Sequence, residues 1–490
     1  MVHASAITGN IHIRPRRDRK IVKKADLVDS KTHKPLKLRN KGLLSLDGGG
    51  LRGLLTGIVL EEAERAIQTV IAEDNLLPVH CRGLSPEEWG IELADYFECV
   101  SGTSAGSMLA LYIASKGGDT FHNVQDQLPA DEQADVPLVE GSVAVAWRVI
   151  KLRAKRIFTP PWQLFLRFRS TDWFRALFPF GSGFFWAKYS ALGVDDTLQT
   201  LMGTKLKLSD LHTSVVIPSY ELESSSPFTF WHKHSASAKE SQTGYVAMLR
   251  ADDVAGLDAT SMVGGIQFVK GRDFKLWEVA RASSAAPTYF PAAFINTTPD
   301  EPEPSMRTFV DGGLIANNPT IQGLSFMIGE MEWEMDSIAV LSVGTGCAVK
   351  DLRKETLREG RSGWGMLEWI LPNKGNIVNT ITDGGSEASH AIAEVLFALK
   401  RGPAHSADKA KSEHSRLLRI QKTVDDAKDA KKLIDKDGMT LSDAVEVLSE
   451  IDNIKDVDKL VQIGQNLARD SRRELQDFVR HSLLCTHKLS

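Results

Sequence analysis

Short apolar runs and amphipathic stretches alternate along most of this chain, and their periods predict the order of elements. Leu43-Leu44-Ser45-Leu46 reads as a short buried strand and runs straight into Asp47-Gly48-Gly49-Gly50-Leu51-Arg52-Gly53. From Leu54 to Val70 apolar residues recur at helical spacing, with charges at Glu61, Glu62, Glu64 and Arg65. The same grammar of strand, glycine turn and helix then returns. Tyr96 to Val100 predicts a strand, Ser101 to Gly106 a sharp turn, and Ser107 to Ser115 an apolar helix. Further strand-like runs lie at Ser214–Pro218, Gly265–Val269, Thr308–Val310 and Ser337–Val343, the last ending in Gly344-Thr345-Gly346. Apolar strands alternating with helices predict an α/β fold, a mostly parallel sheet covered on both faces.

The ends of the chain have a different character. Residues 1–40 form a basic N-terminal arm in which Pro15 and Pro35 discourage a continuous helix. From about Arg401 to the last residue the pattern is helical and dense in charge, predicting a helical C-terminal region. Asp435-Lys436-Asp437-Gly438 matches part of a calcium loop, but its other ligand positions do not fit, so it reads as a turn.

Composition adds limits. A chain of 490 residues, 42% hydrophobic and 25% charged, suits a globular protein with one large domain and appendages. Cys81, Cys99, Cys347 and Cys485 form no CxxC pair, which argues against a disulfide framework or structural zinc. The first residues lack the apolar core of a secretory signal, and no apolar run reaches the length of a membrane span. The expected location is cytoplasmic, in a reduced compartment.

Net charge is −4, unevenly spread. Residues 1–41 hold twelve Lys and Arg against three Asp, and residues 148–188 hold nine against Asp172 alone. Two basic patches on an acidic body predict contact with something anionic, phospholipid head groups or nucleic acid. The second patch, an insertion at about 146–190, is also heavily aromatic, from Trp147 through Phe165 and Trp173 to Trp186. Rings and cations together suit a lipid interface. They equally suit an insertion packed on the core with its charges in water. Stacking on single-stranded nucleic acid is a third reading.

The candidate chemistry sits in the glycine turns. Gly102-Thr103-Ser104-Ala105-Gly106 fits G-x-S-x-G, which places a serine between strand end and helix start with its Oγ exposed. Alone, the pentapeptide also describes an ordinary capped turn. Gly48-x-Gly50-x-x-Gly53 matches a dinucleotide fingerprint, but no second strand ending in an acidic residue follows at the right distance. The alternative is an oxyanion hole from the backbone N–H groups of Gly49, Gly50 and Leu51. Arg52 then serves a phosphate or a structural ion pair, and Asp47 braces the loop. For a base, the strand at Thr308–Val310 leads into Asp311-Gly312-Gly313 at a sheet edge, with Asn318 and Pro319 opening a helix. His390, His405 and His414 follow Asp311 in the Ser…Asp…His order of a hydrolase triad, although His390 reads as a helical, structural residue. His232 and His234 lack an evident third metal ligand.

Asp-Gly-Gly-Gly-Leu-Arg-Gly, Gly-Thr-Ser-Ala-Gly and Asp-Gly-Gly, in that order, resemble the three signature motifs of the patatin-like phospholipases. The segment from Ala280 to Pro291 and the run Leu341-Ser342-Val343-Gly344-Thr345-Gly346 add to the likeness, which spans about residues 41–346. Leu417-Leu418-Arg419-Ile420-Gln421 is a weaker echo. The resemblance implies a three-layer α/β/α domain over about 41–400. It also implies a Ser104–Asp311 dyad without histidine or metal, an oxyanion loop at Gly48–Gly53, and acyl esters of glycerolipids as substrates. No cofactor is implied, and a phospholipid surface rather than nucleic acid becomes the expected partner, with peripheral membrane association. A patatin fold that binds without turnover is the rival from another class.

Overall fold

The computed structural model describes residues 19–85, 88–117, 143–160, 187–235, 240–248, 262–263, 266–298, 305–349, 377–399, 416–425 and 441–486. The principal elements of the first half are β1 (Lys41–Leu46), α1 (Gly53–Glu73), β2 (Cys99–Gly102), α2 (Ala105–Ala114), α3 (Val143–Ile157) and α4 (Ala191–Met202). Next come β3 (Ser214–Glu221), β4 (Ser226–Lys233), β5 (Gln242–Met248), β6 (Ile266–Lys270), α5 (Leu276–Ser283), β7 (Ala293–Asn296) and β8 (Met306–Asp311). The chain continues with α6 (Thr320–Gly329), β9 (Ile338–Val343), α7 (Ile377–Leu399), β10 (Leu417–Ile420), α8 (Leu441–Ser449) and α9 (Val457–Phe478).

Strands β10, β9, β1, β2 and β3 lie side by side in parallel and form the centre of the sheet. Their near-continuous apolar sequence is what a strand buried on both faces requires. Successive residues point to opposite faces. Leu44 and Leu46 enter the core shared with α1, α2 and α9, while Leu43 enters a second core shared with α6 and α7. Each such fully buried leucine contributes about 2 kcal/mol. The result is the expected α/β architecture, a central sheet between two helical layers. Beyond β3 the sheet continues through β4, β5 and β6, all antiparallel; of these the sequence reading names only the run Gly265–Val269, which falls on β6.

One detail of topology assembles the site. The first half of β3 pairs in parallel with β2, ending at Ser101 opposite Val216. The second half of β3 pairs with β8, antiparallel, ending at Asp311 opposite Ser219. Strands β2 and β8 therefore meet end to end in one lane along β3. The turn leaving β2 carries Ser104, and the last residue of β8 is Asp311.

Several expectations shift. Residues 19–40 are not a loose arm: Val22 and Leu27 are buried, Lys20–Ile21 pairs with Trp89–Gly90, and buried Lys24 meets Glu98 at 3.0 Å. The C-terminal region holds helices α8 and α9, but its strand β10 completes the central sheet, so residue 400 does not separate it from the domain. Within the basic insertion, several described cations have acidic partners: Arg153 and Arg156 with Asp196, Lys151 with Asp458. Trp147 is buried and donates to Glu61, and Phe158 packs edge-on against Tyr189. These residues pack on the core. Residues 1–18, 161–186, the turn at Asp435–Gly438, His405 and His414 lie outside the described residues. No helix among the described residues is long and apolar enough to cross a membrane.

Candidate active site

Ser104 stands at the strand-to-helix turn with φ 52° and ψ −123°, a conformation that side-chain-bearing residues rarely adopt. The surroundings hold it there. The backbone N–H of Ser104 donates to Ser283 Oγ at 3.0 Å, and Ser283 Oγ donates in turn to the Pro218 carbonyl at 2.7 Å. Thr103 N–H donates to the Leu46 carbonyl at 3.1 Å, and Thr103 Oγ1 to the Ala316 carbonyl at 2.6 Å. Gly106 has no room for a side chain: a Cβ would lie 2.3 Å from the Leu46 carbonyl oxygen. That close approach sets α2 against the end of β1, so the nucleophile turn and the glycine loop are neighbours. Gly102 and Ala105 complete the turn, and Ala105 lines the adjoining cavity.

Ser104 Oγ donates to Asp311 Oδ2 at 2.7 Å. The other carboxylate oxygen, Oδ1, accepts the Gly313 N–H at 2.7 Å, and Gly312 N–H donates to the Ser283 carbonyl. Burial pushes the Asp311 carboxyl up to about 6, opposed by the bonds from Gly313 and Ser104. Such a group is ionised at neutral pH yet more basic than an ordinary carboxylate.

The glycine loop is only partly available for an oxyanion. Gly48 N–H donates to the Asn317 carbonyl, Leu51 N–H to the Ile451 carbonyl at 2.7 Å, and Arg52 N–H to the Gly49 carbonyl. Gly53 N–H is taken by the carbonyls of Gly50 and Leu51. Among the described residues this leaves the amides of Gly49 and Gly50, a correction to the wider loop expected from sequence. Gly50 has φ +56°, and a Cβ there would fall 2.4 Å from the Ile451 carbonyl oxygen. The Arg52 guanidinium is buried, donates to the Leu448 carbonyl at 2.9 Å and pairs with Asp383 at 3.5 Å. Of its two expected roles, it holds the structural ion pair.

Ser104, Asp311, Gly49 and Gly50 all line one solvent-open cavity. Its other walls are largely apolar, with Met108, Ile157, Phe158, Val194 and Phe290 among them. Apolar walls with a few convergent polar groups at one end are the usual make-up of a small-molecule site.

The described histidines are placed elsewhere. His390 faces Glu394 one turn on in α7, at 3.8 Å, and is not part of the cavity wall. His232 and His234 have ring centroids 6.0 Å apart. Burial pushes His232 down to about 4, so it is neutral near pH 7. Among the described residues no group of His, Cys, Asp and Glu is arranged to hold a metal.

Sequence reasoning overlooked several residues now at the site. Ser283 lay in the recognised Ala280–Pro291 segment without a role of its own. Thr345 Oγ1 and Asn317 Nδ2 both donate to the Gly48 carbonyl. Arg419 pairs with Asp47, and Tyr189 and Lys188 both donate to Asp452, next to Ile451. Thr345 and Arg419 likewise lay in the runs 341–346 and 417–421, without a role of their own.

Comparison with known proteins agrees with this geometry. The family model described as patatin-like phospholipase matches residues 44–324, more than half of the chain. Patatin-like protein 3 of Arabidopsis thaliana is 23% identical, over 72% of this chain and 68% of its own. A cGAMP-activated phospholipase of Vibrio cholerae is 27% identical, over 67% of this chain and 72% of its own. Patatin-like protein 1 of Oryza sativa subsp. indica is 26% identical, over 72% and 70% respectively. With the motifs, the strand lanes that join them and this match in agreement, the chain belongs to the patatin-like phospholipase family.

Proposed function

We propose that the chain is a serine lipid acyl hydrolase that cleaves fatty-acyl esters of phospholipids or related glycerolipids through a Ser104–Asp311 dyad. The observation that carries this is the 2.7 Å bond from Ser104 Oγ to Asp311 Oδ2, made beside the Gly49 and Gly50 amides in an apolar cavity. Asp311 takes the hydroxyl proton as Ser104 attacks the ester carbonyl, and the two amides stabilise the tetrahedral oxyanion. The proton then passes to the departing alcohol, leaving an acyl-serine. Asp311 next deprotonates water, whose attack releases the fatty acid and restores Ser104. Base and oxyanion donors both come from the chain, so the scheme needs neither metal nor cofactor.

Peripheral association with a phospholipid surface belongs to the same reading. Helix α7 contributes Val378, Asn379 and Thr382 to the cavity wall. The same helix exposes Ile381, Ile392, Val395 and Leu399 to solvent. An apolar stripe beside the opening suits a helix resting on the bilayer from which substrate is drawn.

The test is fatty acid release from mixed phospholipid liposomes in EDTA, comparing wild type with Ser104→Ala, Asp311→Ala and His390→Ala. Release by wild type and His390→Ala alone supports the dyad. Loss in His390→Ala would instead support a Ser-His-Asp esterase. Silence of the wild type, with and without cGAMP, together with no Ser104 adduct from a fluorophosphonate, would favour a lipid-binding protein without turnover. The cGAMP arm follows from the relative described as cGAMP-activated.

A further inference from the structure

We propose that Arg419 is a positioning residue for the oxyanion loop, which makes the C-terminal region a working part of the catalytic centre. The inference rests on the acyl-hydrolase reading and adds to it a residue that acts through the backbone rather than on substrate.

Asp47 is where the glycine loop leaves β1. Both of its carboxylate oxygens are held by one guanidinium: Arg419 Nη1 donates to Oδ1 at 2.8 Å and Nη2 to Oδ2 at 2.6 Å. Arg419 also donates to Ser342 Oγ at 2.8 Å. The reach follows from strand register. Arg419 on β10 sits opposite Ser342 on β9, which sits opposite Ser45 on β1. A fork two strands away therefore spans the intervening strand and grips the end of β1.

An ion pair this buried is a poor way to gain stability, because desolvating both charges offsets their attraction. What a bidentate fork supplies is orientation: it fixes the plane of the carboxylate, which a lysine's point charge does not. The next residues continue the clamp. The Gly48 carbonyl accepts from Thr345 Oγ1 at 3.1 Å and from Asn317 Nδ2 at 3.3 Å. On the far side, the Ile451 carbonyl holds Leu51 N–H and the Leu448 carbonyl holds Arg52. Gly49 and Gly50 lie between two fixed ends, and their amide directions are set by those ends. Oxyanion donors work only when aimed at where charge develops, so a small rotation of the loop costs rate without costing the fold.

The experiment compares wild type, Arg419→Lys and the double variant Asp47→Asn/Arg419→Gln, which replaces the ion pair by a neutral one without stranding a buried charge. Steady-state hydrolysis of a soluble p-nitrophenyl ester gives kcat and KM, fluorophosphonate labelling gives the rate of attack by Ser104, and circular dichroism gives the melting midpoint. The expected result is a folded double variant with kcat and labelling rate lower by about a hundredfold and an unchanged KM. Arg419→Lys falls between it and wild type, and decides the matter should the double variant not fold. Either variant folded with wild-type kcat, or a loss confined to KM, overturns the positioning role. A wild type that, with and without cGAMP, neither hydrolyses the ester nor labels at Ser104 fails at the earlier step and sinks the acyl-hydrolase reading itself.

Discussion

The two glycine turns of this site share one grammar and differ in how they are held. Each follows a parallel strand, β1 or β2, and opens a helix, α1 or α2. The nucleophile turn takes its partners from Leu46, Ser283 and Ala316, all inside the segment that resembles the family. The glycine loop takes Asn317 and Thr345 from that same segment, but Arg419, Leu448 and Ile451 from beyond it. A turn that presents one side chain needs a strained backbone and a few close neighbours. A turn that presents two amides needs both of its ends fixed, and the fold recruits distant elements to do it.

That contrast can be probed at graded depth. Removing the nucleophile has the largest effect: Ser104→Ala lowers ester hydrolysis by about 10⁴-fold or more with little change in melting midpoint, measured by fatty acid release and calorimetry. Asp311→Asn follows, with kcat down by about 10³-fold. It also separates activity from stability. A buried carboxyl raised from 3.8 to about 6 costs the folded state stability as pH climbs through that window, and the cost persists above it. The asparagine variant is therefore expected to melt higher than wild type at pH 7, and an unchanged or lower midpoint would contradict the burial argument.

The pH profile of the wild type is the next test. A base acts only when ionised, so kcat/KM on the soluble ester rises through an apparent value of about 6 and levels off above it. Below that point it falls about tenfold per pH unit. A profile with its midpoint near 4 would mean that Asp311 is better solvated than its surroundings indicate. The smallest effect tests the nucleophile turn: Ser283→Ala removes the acceptor for the Ser104 N–H and lowers kcat by about tenfold. Ser283→Thr, which keeps the hydroxyl, restores most of it, whereas a merely spatial role for Ser283 predicts no rescue.

The sequence showed what local chemistry can show. Ser104 and Asp311 stand at strand ends flanked by glycines, and the strands feeding them are short apolar runs that period alone reveals. Gly48, Leu51 and Arg52 were grouped with the oxyanion donors because a motif does not say which amides already have acceptors. The helix after Pro319 begins one residue later than expected, with Asn318 Oδ1 accepting the Thr320 N–H. Arg419 stands in a run that the sequence offers only as a weaker echo, and its meaning depends on which strands lie beside β10. Ile451 contributes a carbonyl, which every residue has, so nothing in its side chain could announce it. Lys24 was read as part of a basic arm because charge predicts exposure, and the Glu98 carboxylate that makes its burial tolerable lies 74 positions away.

The fork between Arg419 and Asp47 also has a consequence in time. Its two residues are 372 positions apart in the chain. At usual synthesis rates, roughly 20–75 s pass between the ribosome's incorporation of one and of the other. Throughout that interval the strand carrying Asp47 can pair and collapse, yet its loop has no guanidinium to close on. A growing chain thus carries Ser104 long before it carries the guanidinium that, on the proposed reading, clamps the glycine loop.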